Sequence, residues 1–240
     1  MKALRINRFL SQAGLGSRRR VEDLIRAGRV AVNGERVQDL ATRVDSARDV
    51  VEVDGERVEP QRGGAVFAYH KPRGVISSLA RQGSAPCLLD VLPKELLNGR
   101  FFHLGRLDRD SCGLLLLSDD GELGNALTHP SHPVWKRYRI ALDAALAPED
   151  MRRFAGGELL IDGRPALPAR IEALSDSPRH EYRVELREGR KRQIRRMCAQ
   201  LGREVLELTR EAIGPVELGD LGAGELRRLL DSELAELRTA

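Results

Sequence analysis

Residues 105–121, GRLDRDSCGLLLLSDDG, set Asp108 and Asp110 among arginines and just ahead of four consecutive leucines, Leu114 to Leu117. An ionised carboxylate at the edge of a dry core is costly unless it is paired or reactive. Leu107 can anchor this loop in the core, and Gly105 permits a tight backbone before it. Asp108 is therefore expected at the rim of the core as a nucleophile. Asp110, two positions on, suits the turn role of bonding the backbone near Ser111 and Gly113.

Two further segments carry reactive groups. In EGRKRQIRRM, residues 188–197, Ile194, Met197, Cys198 and Leu201 recur at helical spacing and must face a core. Arg192 and Arg196 then project from the opposite side. Arg195 lies at the flank of the apolar stripe, where its guanidinium can reach inward to a half-buried carboxylate. Asp108 is the natural counterpart, and such a pair would keep it charged and aimed. Tyr138, in KRYRI, is either cross-strand packing or a platform on which a nucleobase can stack.

The elements that must position these groups follow from periodicity. Ile6, Phe9, Leu10 and Ala13 predict a first helix closed by Gly14. Ser17 can cap a second helix with Val21, Leu24 and Ile25 inside. RVAVNGERV then alternates and turns at Asn33-Gly34, and DVVEVDGERV reads as one further short strand. Residues 59–64, EPQRGG, read as a linker. Beyond it, strands are expected at AVFAYHK, Leu114–Ser118, KRYRIAL, ARIEAL, EYRVELR and REVLELTR. Helices are expected at DDGELGNALT, at APEDMRRFAGG, from about Arg190 to Gly202, and as short pieces over 223–238. Strands outnumber long helices without alternating regularly with them. The fold class is α+β: a small N-terminal helix–helix–hairpin domain (1–58), a linker (59–64), and a domain with a mixed, mostly antiparallel sheet (65–240).

Composition narrows the function classes. Hydrophobic content of 41% with 32% charge describes a soluble globular chain. No apolar run approaches the ~18–20 residues of a membrane span, so no membrane association is expected. Cys87, Cys112 and Cys198 are widely spaced without a CxxC pair, which fits free thiols in a reducing cytoplasm. There is no HxxxH pair and no phosphate-binding glycine loop, so neither a metal nor any other cofactor is expected. The net charge is only +4, but residues 1–36 hold nine Lys/Arg against three Asp/Glu, and residues 187–196 hold six against one. Such patches suit a polyanion.

Residues 5–37, RINRFLSQAGLGSRRRVEDLIRAGRVAVNGERV, resemble the RNA-binding domain named after ribosomal small-subunit protein four. HKPRGVISS, GRLDRDSCGLLLLSDDGEL, KRYRI and EGRKRQIRRM, in this order, resemble the ribosomal-RNA pseudouridine synthases of the RsuA/RluB type. The resemblance implies a cytoplasmic, monomeric, cofactor-free enzyme that isomerises a uridine of ribosomal RNA, with RQIRRM favouring the large-subunit RNA. It further implies that Asp108 is the catalytic carboxylate, with Tyr138 and Arg195 beside it. The family usually carries Thr-Ser or Thr-Thr where this chain has Ser111-Cys112, a departure that leaves the carboxylate intact. RNA contacts are expected from Arg18, Arg19, Arg20, Arg26 and Arg29 in the first domain. In the second they are expected from Lys71, Arg106, Lys136, Lys191, Arg192 and Arg196. Two rival readings are a non-catalytic ribosome-assembly factor and a glycosidase using Asp108 and Asp110 as a carboxylate pair.

Overall fold

A computed structural model describes residues 3–16, 18–59, 64–97, 101–128, 134–174 and 179–239. The chain divides into two compact units, one built mainly on residues 1–65 and also taking in 92–102 and 118–121, the other holding the rest.

In the first unit, α1 (Ile6–Gln12) and α2 (Arg18–Arg26) pack on a four-stranded sheet. Its strands are β1 (Val30–Val32), β2 (Glu35–Val37), β3 (Val51–Val53) and β4 (Glu56–Val58), in the order β2-β1-β3-β4. Ile6, Phe9 and Leu10 of α1 meet Val21 and Ile25 of α2 and the sheet valines Val30, Val51 and Val53 in one core. The Asn33-Gly34 turn forms as expected, with φ of 52° and 82°, the pair of positive angles that a tight hairpin requires. DVVEVDGERV is two strands rather than one, because Asp54 and Gly55 repeat the same turn with φ of 54° and 84°. The proposed Ser17 cap lies outside the described residues.

The second unit is built on a mixed sheet. Its seven main strands are β5 (Val66–Lys71), β6 (Cys112–Ser118), β7 (Lys136–Leu142), β8 (Arg170–Ala173), β9 (His180–Leu186), β10 (Val205–Ile213) and β11 (Leu226–Arg228). Their order is β8-β9-β7-β10-β6-β5-β11. β7 pairs antiparallel with both β9 and β10, whereas β10 and β6 run parallel. Leu114 to Leu117 are all buried, which places β6 between two covered faces and explains its unbroken apolar run. Around the sheet lie α3 (Gly121–Thr128), α4 (Pro148–Gly156), α5 (Gln193–Gln200) and α6 (Asp231–Thr239).

Two expectations are corrected. The helix expected from Arg190 begins at Gln193, because Arg192 sits in the left-handed region at φ 53° and turns the chain before the helix. Residues 226–228, expected to be helical, form β11 on the edge of β5.

Candidate active site

The loops and strand ends of the second unit enclose a cavity of about 920 Å³. Its floor is one face of three neighbouring strands. Lys136 and Tyr138 come from β7, Leu186 from β9, and Leu208, Arg210 and Ile213 from β10. Arg210 and Ile213 are three residues apart yet share this face, since the β7–β10 register shifts between Arg137 and Tyr138 and leaves Glu211 as an extra residue. Arg137 and Arg139 point the other way and pair with Glu217 and Glu181. The walls are the Leu104–Ser111 loop, the 187–192 loop with the start of α5, and the segment around Ile161–Arg164.

The Asp108 loop is pinned from beneath. Leu107 is buried with Tyr138 and the α5 stripe in the main core. The buried Ser77 hydroxyl donates to the Leu107 carbonyl at 2.8 Å and accepts from the Leu107 amide at 3.1 Å. The Gly74 amide donates to the Arg109 carbonyl at 2.7 Å, and the Ser111 amide closes a turn on the Asp108 carbonyl. Gly113 then carries φ 104°, and a Cβ there would lie 2.3 Å from the Arg210 carbonyl oxygen. Only glycine lets β6 approach β10 this closely.

Lys71 was expected to contact RNA, and its position argues otherwise. It is fully buried, and its ammonium donates to the Pro72 and Val75 carbonyls, both at 2.8 Å. Burial pulls its pKa down to about 8, partly offset by Cys112, Asp108 and Asp110. Lys71 therefore shapes the 72–75 loop that supports Asp108, rather than presenting a charge to a ligand.

The two aspartates take different roles from those of a simple Asp108–Arg195 pair. Asp108 is half-buried on the cavity wall, and among the described residues no hydrogen bond or ion pair holds its carboxylate. Asp110 is the one clamped: Arg192 Nη1 donates to it at 2.9 Å and Arg195 Nε stands 3.3 Å from its second oxygen. Arg195 also donates to the carbonyls of Val205, at 2.6 Å, and Asp110, at 3.0 Å, with only 12% of its side chain exposed. Burial raises the Asp110 pKa, but the Arg192 hydrogen bond and the two guanidinium charges outweigh it and leave the carboxyl below its usual value. The physical reason is the turn. Closing Ser111 back onto Asp108 sends the two side chains to different neighbours, Asp110 to the start of α5 and Asp108 to the cavity. Arg192, at the turn before α5, and Arg195, in its first turn, both reach that one carboxylate. With Asp110 engaged in this clamp, the two carboxylates do not form the pair that a glycosidase needs.

The remaining expected residues are dispersed. Tyr138 is 7% exposed and belongs to both the core and the cavity floor. Arg106 and Lys191 are exposed on the cavity wall, and Arg196 is engaged by Asp162 at 2.8 Å. In the first unit Arg19, Arg20 and Arg26 are exposed, Arg26 within 3.8 Å of Glu22 and Asp23, and Arg29 is bridged to Asp54. The Arg18 side chain lies outside the described residues. Arg210, which sequence reading passed over, lines the cavity while only 3% exposed. Its signal was an arginine at an inward position of an alternating strand, two residues after Leu208 with Thr209 between them.

Comparison with known proteins supplies the family. The family model for RNA pseudouridylate synthase matches residues 65–200, the span that supplies most of the cavity. The chain belongs to that family. The model of the S4 domain matches residues 4–51 of this synthase. The chain is 40% identical to an uncharacterized RNA pseudouridine synthase of Mycobacterium leprae, covering 98% of this chain and 92% of that one. It is 35% identical to the ribosomal large subunit pseudouridine synthase B of Bacillus subtilis, over 98% and 95%. A crystal structure of a pseudouridylate synthase superposes with a TM-score of 0.70 at 31% identity, covering 98% of this synthase and 99% of the other. No helix among the described residues is long and apolar enough to cross a membrane.

Proposed function

We propose that this synthase isomerises a specific uridine of ribosomal RNA, of the large subunit by preference, with Asp108 as the catalytic carboxylate. The observation that carries the reading is the contrast within one turn: Asp110 is neutralised by Arg192 and Arg195, whereas Asp108 faces the cavity with no partner among the described residues. A carboxylate in that position attacks the sugar or the base, or stabilises the sugar as the glycosidic bond breaks. The target base leaves its stack to reach the cavity, and the ring of Tyr138 on the floor gives it a surface to rest on. Arg195 acts through Asp110, holding the turn that aims Asp108. The exposed cations Arg106, Lys191 and Arg192 contact the RNA strand at the rim. Arg19, Arg20, Arg26 and Arg29, with Arg18, hold phosphates from the first unit, supplying affinity more than sequence choice. Residues 1–58 form the binding domain and 65–240 the catalytic one. Two relatives named for the large ribosomal subunit support the choice of RNA. Mapping pseudouridine in transcribed large- and small-subunit RNA, before and after incubation with the purified protein, tests the reading. One new pseudouridine in the large-subunit RNA is expected. Modification confined to the small-subunit RNA would overturn the substrate, and none in either would overturn the activity on free RNA.

A further inference from the structure

The cavity floor holds two cations that this account of Asp108 leaves unused. Arg210 is 3% exposed; its Nε donates to the Leu114 carbonyl at 2.7 Å and its Nη1 reaches the Arg106 carbonyl at 3.4 Å. Its Nη2 is buried and, among the described residues, has no hydrogen-bond partner. An orphaned guanidinium nitrogen beside a cavity is expensive unless a ligand completes it. Lys136, half-buried on the adjacent strand, donates to the Val134 carbonyl at 2.9 Å. Burial, reinforced by the charge of Arg210, pulls the Lys136 pKa down to about 8. Among the described residues no carboxylate forms an ion pair with either. Main-chain carbonyls aim both groups without neutralising them.

Position says what completes Arg210. It is the register partner of Tyr138, so the phenol ring and the guanidinium lie side by side on the cavity-facing side of the sheet. A base resting on Tyr138 therefore lies beside this guanidinium. A phosphodiester, tied to its neighbours in the strand, stays at the rim, where Arg106, Lys191 and Arg192 are exposed. We infer that Arg210, supported by Lys136, is a further catalytic residue, its guanidinium hydrogen-bonding a carbonyl oxygen of the uracil ring and stabilising the charge that develops there. This rests on the reading under "Proposed function". When the N1–C1′ bond breaks, its electron pair leaves with N1 and spreads onto the ring oxygens. The electron-poor C1′ is taken up or stabilised by Asp108. After the ring turns, C5 bonds C1′ as C1′ leaves Asp108, any bond between them breaking with its electron pair returned to the carboxylate. The C5 proton then passes to water and N1 takes a proton, so the net change is an isomerisation. Preorganised donors toward such charge act most strongly in a site shielded from water.

The test is a substrate-and-enzyme cycle. Wild type, Arg210→Gln, Arg210→Lys and Lys136→Met are compared for fold, RNA affinity across salt, and single-turnover isomerisation at saturating RNA. The RNA carries uridine, 2-thiouridine or 4-thiouridine at the target, since sulfur is the poorer acceptor. Arg210→Gln should bind RNA within about twofold of wild type and isomerise on the order of 10²–10³-fold more slowly, with Arg210→Lys between. One of the two thio substitutions should slow the wild type and lose most of its effect in Arg210→Gln. Equal thio effects in both enzymes would overturn the inference. So would a normal rate with weaker, less salt-dependent binding, the mark of a phosphate contact. Should neither Arg210 variant fold, Lys136→Met carries the test: a lowered rate with unchanged affinity supports the inference, and a wild-type rate overturns it. Asp108→Asn serves as the separate control, since its activity would sink the parent reading whatever Arg210 does.

Discussion

The arginines of the two units differ in what holds them. In the first unit Arg26 and Arg29 stand in water and lean on the exposed carboxylates Asp23 and Asp54, Arg26 also on the half-buried Glu22. Such pairs exchange easily for a phosphate, and little in the fold depends on them. In the second unit Arg210 is buried and Arg195 largely so, and each takes main-chain carbonyls as well as, or instead of, a carboxylate. A guanidinium tied to main-chain carbonyls is fixed in place and keeps its charge for use. One residue type thus serves as a replaceable surface contact in one region and as a positioned part of the site in the other.

If that contrast is right, substitutions should sort by region. The largest stability loss is expected from Arg195→Ala, which leaves Asp110 with Arg192 alone and frees the Val205 carbonyl. Breaking a buried pair costs about 3–5 kcal/mol, and the partial exposure of Asp110 puts the expectation at about 2–3 kcal/mol. Urea unfolding measures it, and a loss below about 1 kcal/mol would place Arg195 with the surface arginines. Ser77→Ala should cost about 1–2 kcal/mol and slow isomerisation, because the Leu107 amide and carbonyl both lose their partner. An unchanged rate would show that the Asp108 loop needs no support from beneath.

Lys71→Met sharpens the comparison through pH. The folded pKa of Lys71, about 8, lies below its ordinary 10.5. Between those values the unfolded chain binds more protons, so the wild type gains stability as pH rises from about 8 to 10.5, by at most about 1.4 kcal/mol per pH unit from this group. The variant lacks that gain, so the wild-type advantage over it should grow across the window. A constant difference would contradict the burial of the ammonium. The smallest effects belong to the first unit. Arg29→Ala should leave the fold intact and lower the salt slope of RNA binding by about one counterion. A change in single-turnover rate at saturating RNA would contradict a role in affinity alone.

Local chemistry made much of the fold legible. The α1 stripe, the Asn33-Gly34 turn and the Ile194–Leu201 stripe depend on neighbours within a few residues, and each was readable. The Asp54-Gly55 turn carried the same kind of signal, but its flanking strands are only three residues each and merged into one. β11 was not legible, because LRR becomes a strand only through pairing with β5, more than 150 residues away in sequence. The site divides in the same way. The placement of Asp108 on a cavity wall followed from Leu107 and the leucines. The partner of Arg195 did not, since a turn of four residues decides which aspartate meets α5. Lys71 was assigned to RNA and Arg210 was passed over, because both roles depend on carbonyls that only the folded chain brings to them.

The central claim is that Asp108 performs the chemistry while Asp110 holds the turn. Measuring pseudouridine formation and RNA affinity together for wild type, Asp108→Asn and Asp110→Asn tests it most directly. The account predicts that Asp108→Asn folds, binds RNA with near-wild-type affinity and forms no pseudouridine. It predicts that Asp110→Asn is less stable but still forms pseudouridine. Pseudouridine formed by Asp108→Asn, or an inactive but folded Asp110→Asn beside it, would contradict the account.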